Sequence, residues 1–222
     1  MDDEASAKTD TMIKIISLFT LVLLIIAFTT NPVAVGVEVG DRVPDLKAKA
    51  YNGGTWYDFD LYEQINTSWD GEDTNQSWFV IEFMDTDCYY CWNSAADMSN
   101  LHSMIASPNW GRAPVEIIVV ALELNIEGHD SSREEIEAFR DKTSGDFKCN
   151  AGRDDCSTRG GEAHPFPYLD DLKSDTTDDW DIPGTPFYFI VQPDGIVAWS
   201  SGDAGNTDIL DATAGIVPVV QE

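Results

Sequence analysis

The stretch EFMDTDCYYCWNSAADM, residues 82–98, decides both the fold and the chemistry of this chain. It grows out of an apolar run, WFVIEFM at 78–84, which is typical of a strand covered on both faces. After Cys91, apolar residues recur at steps of four and three, which predicts one apolar stripe along a helix (Ala95, Met98, Leu101 and Ile105). Cys88 and Cys91 therefore lie where a buried strand passes into an amphipathic helix.

This position gives the two cysteines different properties. Cys88 falls at the helix start, where unpaired backbone N–H groups and the helix dipole favour a thiolate. Cys91 lies one turn further, at the head of the apolar stripe, and is expected to be shielded. An exposed nucleophile beside a protected resolving thiol is what thiol–disulfide exchange requires. The C-x-x-C pair in this context predicts exchange chemistry.

Two other roles for this pair have less support. A structural disulfide at a helix start would close very little loop. A zinc site would need two more soft ligands. Cys149 and Cys156 lie in an acidic loop, separated by six residues, and no histidine clusters with them. We expect neither a metal nor a cofactor.

The other segments from residue 40 onward predict a mixed sheet. A second apolar run at 115–124 indicates another buried strand. The segments 187–192 and 196–201 flank Pro-Asp-Gly, a hairpin signal, and 40–64 reads as two strands around Asn-Gly-Gly.

Two further helices complete the pattern. Ser131 and Glu134 have the spacing of a capping box, and Thr143 is predicted to face inward at the end of the helix that follows. A last helix is predicted over Thr207–Ala214. Strands and helices in this order predict an α/β sandwich with helices on the faces of the sheet.

Four segments carry a resemblance to a known family. The domain resembles the membrane-anchored, thioredoxin-like thiol-disulfide oxidoreductases of the TlpA/ResA type, over most of residues 40–203. The resemblance implies a thioredoxin-like sandwich with an N-terminal hairpin extension and one N-terminal transmembrane helix. The similar segments are GDRVPDLKAKAYNGGTWYDFDLYE (40–63), FVIEFMDTDCYYC (79–91), FPYLDD (166–171) and WDIPGTPFYFIVQPDGIVAWSSG (180–202).

The resemblance also implies where substrate binds. It implies a cis peptide at Thr185–Pro186 that faces the cysteines, in a loop that holds an extended substrate segment. We assign substrate binding to this pair and to the two residues inside the C-x-x-C motif, Tyr89 and Tyr90.

Glu82 is the third predicted catalytic residue, beside Cys88 and Cys91. In thioredoxins an acid at the matching place accepts the proton of the buried cysteine, and burial should raise its pKa toward neutrality. The alternative is an acid at a strand edge that reaches solvent.

Several positions depart from the family pattern and bear on redox direction. Asp87 replaces a common tryptophan, Met84 replaces an aromatic residue, and Ser94 stands where some relatives carry glutamate. A carboxylate about 6 Å from a sulfur, at an effective dielectric constant of about 20, disfavours the thiolate by about 2.8 kcal/mol. A half-sheltered Asp85 or Asp87 would thus make Cys88 a poorer thiolate than in DsbA-like oxidants, and we expect the reductive direction to be slightly preferred.

Cys149 and Cys156 enclose a short insert, CNAGRDDC. We interpret them as a structural disulfide that anchors an exported loop. A second redox relay is the alternative.

The N-terminal part is predicted to be separate from the domain at 40–222. Residues 1–11 form an acidic tail, 12–30 a transmembrane anchor or uncleaved signal, and 31–39 a linker. A cleaved signal peptide is the competing interpretation.

Lys8 and Lys14 precede the uncharged run at 15–28 and Arg42 follows it, which predicts that the domain lies outside the cell in a single-pass membrane topology. Asn66 and Asn75 begin Asn-x-Ser sequons, which are compatible with export.

The net charge of −27, from 40 acids and 13 bases, argues against a nucleic-acid partner. The sequence therefore predicts a dithiol/disulfide oxidoreductase whose partners are exported cysteine-containing proteins and a membrane or soluble thiol electron donor. The alternatives are a non-catalytic thioredoxin-fold binding module or a metal-handling module. Peroxidase activity is a weaker enzyme alternative, because the Thr-x-x-Cys surroundings of a peroxidatic cysteine are missing.

Overall fold

The computed structural model describes residues 2–29, 33–173, 177–202, 205 and 207–220. It divides into two compact units, Met1–Ala34 and Val35–Glu222. The last residue of the predicted anchor, the first two residues of the predicted linker and the last two residues of the predicted domain lie outside the described residues.

The first unit contains helix α1, Asp2–Thr29. Within the described residues, no helix has both the length and the apolar content needed to cross a membrane. The anchor over residues 12–30 stays a prediction from the sequence.

The second unit is built on a mixed sheet flanked by helices, as the sequence predicted. Seven of the described strands pair in the order β2-β1-β7-β4-β3-β8-β9, and β5 and β6 form a separate hairpin. The strands are β1 (Lys47–Tyr51), β2 (Trp56–Asp60), β3 (Trp78–Met84), β4 (Val115–Leu122), β5 (Lys148–Cys149), β6 (Asp154–Asp155), β7 (Tyr168–Asp171), β8 (Phe187–Val191) and β9 (Val197–Ser200). The helices are α2 (Leu61–Gln64), α3 (Tyr89–Ile105), α4 (Arg133–Asp141), α5 (Thr177–Trp180) and α6 (Ile209–Ile216), with 3-10 turns at Ile126–Gly128 and Cys156–Thr158.

Strand β3 lies inside the sheet, between β4 and β8, and is buried along its whole length. It runs parallel to β4 and antiparallel to β8. Its side chains alternate between two apolar clusters, with Val80 and Met84 on one face and Phe79, Ile81 and Phe83 on the other. The first face is covered by α3, α4 and α6, and the second receives side chains from α2 and α5. The apolar run at 78–84 is thus confirmed as a strand covered on both faces.

Helix α3 follows directly on the strand, and its predicted apolar stripe is confirmed by the burial of Cys91, Ala95, Met98 and Leu101. One detail of helix α4 was predicted wrongly. The capping box of α4 is formed by Ser132 and Glu135, one residue later than predicted, because the Ser131 hydroxyl hydrogen-bonds with Thr86 and Asp85 instead.

The end of α4 and the start of α6 also differ from the prediction. Lys142 adopts a left-handed conformation that ends α4, so Thr143 is exposed beyond the helix. Helix α6 begins at Ile209, because the Asp208 side chain accepts a hydrogen bond from the backbone of Asp211 and caps the helix there.

Candidate active site

Cys88 occupies the N-cap of α3, in an extended conformation with φ −72° and ψ 118°. Its sulfur accepts a hydrogen bond from the backbone N–H of Cys91, with a distance of 3.3 Å from nitrogen to sulfur. Its carbonyl accepts the first hydrogen bond of the helix, from Trp92 at 3.0 Å. The turn from buried strand into helix thus points the free N–H groups of the first turn at this sulfur.

The two cysteines, both free thiols in this structure, differ in proton affinity. The pKa of Cys88 is lowered to about 6, mainly by a hydrogen bond from the Cys91 side chain, and burial only partly opposes this. The pKa of Cys91 is raised well above its ordinary value by burial and by the neighbouring Cys88. At neutral pH, Cys88 is therefore the thiolate and Cys91 the thiol.

Cys88 is less accessible than the sequence suggested. Its exposed fraction is 5%, against 1% for Cys91, so the predicted exposed nucleophile is nearly covered. The loop before β8 contributes to this cover, because the Cys88 sulfur lies 3.3 Å from the carbonyl oxygen of Thr185, which accepts the S–H of the protonated form. The order of exposure agrees with the prediction, although the difference is small.

The loop over Cys88 contains the cis peptide that the resemblance implied, between Thr185 and Pro186. The contact between Thr185 and the sulfur places this bond beside Cys88. Its role in holding a substrate segment stays a prediction.

Tyr89 and Tyr90 are exposed, by 57% and 71%. Their rings form an edge-to-face pair with centroids 5.8 Å apart, on the first turn of the helix that Cys88 caps. An exposed aromatic pair next to a nearly covered sulfur offers apolar surface to a partner chain.

Glu82 is buried in β3, with an exposed fraction of 3%. Burial raises its pKa to about 8, and a hydrogen bond from the Tyr188 hydroxyl to Oε1, at 3.2 Å, opposes this rise. The alternative of an acid at a strand edge is wrong, because β3 lies between β4 and β8. A carboxyl group with this pKa can exchange a proton near neutral pH.

The two aspartates before Cys88 are fully buried, not half-sheltered, and each carboxylate has its own hydrogen-bond donors. Asp85 accepts from the backbone of Asp87 at 2.7 Å and of Leu124 at 2.8 Å. Asp87 lies 2.6 Å from Nδ1 of His129 and accepts from the backbone of Ala151 at 2.9 Å. Burial raises the pKa of Asp85 above its ordinary value, and its hydrogen-bond donors oppose this rise. The pKa of Cys88 is lowered beside these carboxylates mainly by the hydrogen bond from Cys91.

Cys149 and Cys156 form the predicted disulfide, with an S–S distance of 2.01 Å. Both residues are fully buried, which favours the structural interpretation over the redox relay. The tip of this hairpin contacts the segment before Cys88, since Asn150 donates its backbone N–H to the carbonyl of Thr86 at 2.9 Å and Ala151 donates to Asp87. The disulfide-bonded loop is therefore part of the wall of the site.

Sequence reasoning missed two residues of the site. His129 has no cysteine or carboxylate partner that its neighbouring sequence reveals, and the structure pairs it with Asp87, 42 residues earlier. Tyr188 looked like an ordinary strand residue, although it lies opposite Glu82 in the β3–β8 pair. No local pattern marks either contact, since each depends on the order of strands and loops in space.

A mixed sheet, a C-x-x-C pair at a helix start and a cis-proline loop beside it together define a thioredoxin-like redox fold. The model of the AhpC/TSA family matches residues 39–200, and the chain belongs to this family. Membership supports redox enzyme activity in general terms. Among curated proteins, none matches this chain.

Several solved structures are similar to this chain at low sequence identity. The reduced 2-Cys peroxiredoxin of Plasmodium vivax is 14% identical, with a TM-score of 0.53, and the match covers 80% of this chain and 92% of that one. The AhpC of Enterococcus faecalis is 14% identical, with a TM-score of 0.50 and coverages of 81% and 89%. A secreted Mycobacterium tuberculosis disulfide oxidoreductase homologous to E. coli DsbE is 14% identical, with a TM-score of 0.47 and coverages of 77% and 92%.

Proposed function

We propose that this protein is a thiol–disulfide oxidoreductase of the TlpA/ResA type that exchanges dithiol and disulfide with exported proteins. The observation that carries the proposal is that the two cysteines differ in position and in pKa. Cys88 sits at a helix N-cap with a pKa of about 6, and Cys91 is a shielded thiol of raised pKa one turn away. Mixed-disulfide exchange needs one sulfur of each kind.

The reductive reaction takes two steps. The Cys88 thiolate attacks one sulfur of a substrate disulfide, the substrate S–S bond breaks, and the leaving sulfur takes a proton from water. Cys91 then gives its proton to Glu82 and attacks the Cys88 sulfur, which breaks the mixed disulfide and releases the second substrate sulfur as a thiolate. Two electrons have passed to the substrate, and a membrane or soluble thiol donor reduces the new Cys88–Cys91 disulfide.

The preferred redox direction is argued from the pKa of Cys88. A pKa of about 6 for Cys88 lies between those of thioredoxin, about 7, and DsbA, about 3.5. A less stabilised thiolate favours the disulfide form of the enzyme, so we keep the slight preference for reduction. A measured pKa well below 6 would contradict this preference.

The surroundings of Cys88 support a protein substrate. Tyr89 and Tyr90 offer exposed aromatic surface, and the Thr185–Pro186 loop lies on the other side of the sulfur. An extended segment lying between these two surfaces would bring its disulfide to Cys88. The loop must move slightly to admit it, because Thr185 contacts the sulfur and only 5% of Cys88 is exposed.

The proposed location is the outer face of the cell membrane, with the anchor at 12–30 as a single-pass span. The Cys149–Cys156 disulfide supports an oxidising compartment, since such bonds are rare in reducing ones. The uncharged run at 15–28 supports the anchor.

Peroxide reduction is the second candidate, because the family described as AhpC/TSA favours it. Peroxide would oxidise Cys88 to a sulfenic acid, and Cys91 would condense with it and release water. Asp85 stands three residues before Cys88, where the Thr-x-x-Cys pattern has threonine, so we rank this reaction second. A metal-handling module has less support, since no group of three or more metal-ligating side chains exists within the described residues.

The substitution Cys91→Ser tests the proposal by stalling exchange at the mixed disulfide. Expressed as the full chain, this variant is expected to form covalent adducts with exported cysteine-containing proteins, because the resolving sulfur is gone. Mass spectrometry would identify the partners after release with dithiothreitol.

The matched control is the double variant Cys88→Ser, Cys91→Ser, which should form no adducts. Absence of adducts with Cys91→Ser, together with rapid peroxide consumption by the wild type, would favour the peroxidase instead.

A further inference from the structure

Glu82 has to release its proton from the interior of the sheet. Both flanking strands are paired with β3, and only 3% of the residue is exposed. A proton accepted from Cys91 therefore cannot pass directly to bulk water, and a hydrogen-bonded side chain has to carry it. The described structure places Tyr188 in that position.

Tyr188 stands directly opposite Glu82 in the antiparallel β3–β8 pair. Side chains of directly opposed residues lie side by side on one face of a sheet, and here the face is the one that carries Cys88 and Cys91. The phenol hydroxyl donates to Oε1 of Glu82 at 3.2 Å. The backbone of Tyr188 is held on both sides, since its N–H donates to the Ser201 hydroxyl at 3.0 Å and its carbonyl accepts from the Ser201 N–H at 2.9 Å.

Ser94 continues the path outward. This residue of α3 is half-buried, and its hydroxyl donates to the Cys91 carbonyl at 3.3 Å. Burial raises the pKa of Tyr188, and the neighbouring Ser94 hydroxyl opposes this rise. The phenol of the half-buried Tyr188 thus lies between the buried carboxyl group of Glu82 and the Ser94 hydroxyl of the active-site helix.

We propose that Tyr188 is a positioning residue for Glu82, which holds the ionised carboxylate and, with Ser94, transfers its proton to solvent. The inference rests on the proposed exchange reaction. In the transfer, the phenol oxygen takes the proton of Glu82 while its own proton passes to the Ser94 oxygen, which gives one to water. Each hydroxyl gains and loses one proton, so only Glu82 changes charge.

Other charged and titratable groups also act on Glu82 and must stay unchanged in the test. They come from every element around it: Cys88, Cys91 and Asp97 around α3, Tyr168 on β7, and the buried Arg159 after the disulfide hairpin. Replacing Tyr188 with phenylalanine leaves all of them in place and removes one hydroxyl.

The test follows the resolving step alone. Reaction of the reduced full chain with Ellman's reagent places thionitrobenzoate on Cys88, and the attack of Cys91 releases it as a coloured anion. For the wild type we expect the release rate to rise with pH, with an inflection at about 8, as Glu82 ionises. Glu82→Gln should be slow and lack this inflection.

For Tyr188→Phe we expect the inflection to move up by about one pH unit and the rate at pH 7 to fall about tenfold, because the carboxylate loses a donor. Ser94→Ala should shift the profile in the same direction by less. Tyr51→Phe is the matched control, since it removes a phenol that donates to a carboxylate elsewhere, that of Asp141 at 2.8 Å, and its profile should equal the wild type.

The outcomes separate the two proposals. An unmoved inflection in Tyr188→Phe, whether the rate is normal or uniformly slower at every pH, overturns the role of Tyr188 and leaves the exchange reaction standing. A wild-type profile without an inflection near pH 8 also overturns it, because Glu82 would then not be the group that Tyr188 serves. Failure of the wild type to release thionitrobenzoate at any pH would instead contradict the proposed function.

Discussion

Cys88→Ser is expected to lower the rate of disulfide exchange by a factor on the order of a thousand or more, because the variant keeps no sulfur that can make the first attack. Cys91 cannot substitute, since it is buried and its pKa is raised well above the ordinary value. The measurement is reduction of a model protein disulfide by the full chain, with a dithiol as electron donor.

The fold of this variant should be preserved. Serine is a favoured N-cap residue, and its hydroxyl can accept the hydrogen bond that the Cys88 sulfur takes from the Cys91 backbone. The free energy of unfolding is therefore expected to change little, which separates lost chemistry from lost structure. Equal reductase rates for Cys88→Ser and the wild type would leave a non-catalytic binding module as the better description.

The second large effect concerns stability. Replacing Cys149 and Cys156 together by serine is expected to lower the free energy of unfolding by about 2.5 kcal/mol, from the lost restriction of the eight-residue loop in the unfolded chain. Two hydroxyl groups placed in a fully buried site add to this loss. Urea unfolding of the wild type and the double variant under non-reducing conditions would measure it.

The same double substitution should also affect the active site. A loosened hairpin withdraws the N–H groups of Asn150 and Ala151 from Thr86 and Asp87, and the buried Asp87 carboxylate is then less compensated. We expect the pKa of Cys88 to rise as a result, because an uncompensated negative charge beside a sulfur disfavours its thiolate.

Arg153→Ala is the matched control on this hairpin. Arg153 pairs with Glu127 at the surface, and such an exposed pair is worth at most about 1 kcal/mol. The variant should keep both the stability and the Cys88 pKa of the wild type. An unfolding free energy of the double serine variant within about 0.5 kcal/mol of the wild type would contradict the structural role of the disulfide.

Local patterns in the sequence predicted the centre of the fold well. The run at 78–84 fixed β3 because a strand buried on both faces needs continuous apolar residues, and the spacing after Cys91 fixed the buried stripe of α3. Both signals lie within one element. The cis bond at Thr185–Pro186 needed the resemblance to a family, since Pro183 is also present and neither proline carries a local mark.

Contacts between residues far apart in the chain determine the properties of the site that the sequence did not predict. The nearly covered Cys88 contacts Thr185, 97 residues later, and the Glu82 carboxyl accepts a hydrogen bond from Tyr188, 106 residues later. The effect of Asp87 also changed with context. Read alone, it is a charge that opposes the thiolate, whereas in the fold His129 and Ala151 bind its oxygens.

The choice of the residue that caps helix α4 was the other source of error. Ser131 and Ser132 are adjacent, each is followed by a glutamate three residues later, and both satisfy the capping pattern. The choice between them depends on Thr86 and Asp85, which occupy the Ser131 hydroxyl. A pattern confined to α4 contains no information about that competition.

The central claim is that Cys88, at the helix N-cap, is a thiolate and that the neighbouring Cys91 is a shielded thiol. Differential alkylation of the reduced full chain tests this claim most directly. Brief treatment with iodoacetamide over a range of pH, followed by peptide mass spectrometry, gives a separate titration for Cys88 and Cys91. We predict modification of Cys88 with a midpoint at about pH 6 and no modification of Cys91 at neutral pH. Equal modification of both sulfurs, or a Cys88 midpoint near the ordinary value of about 8.5, would contradict the account.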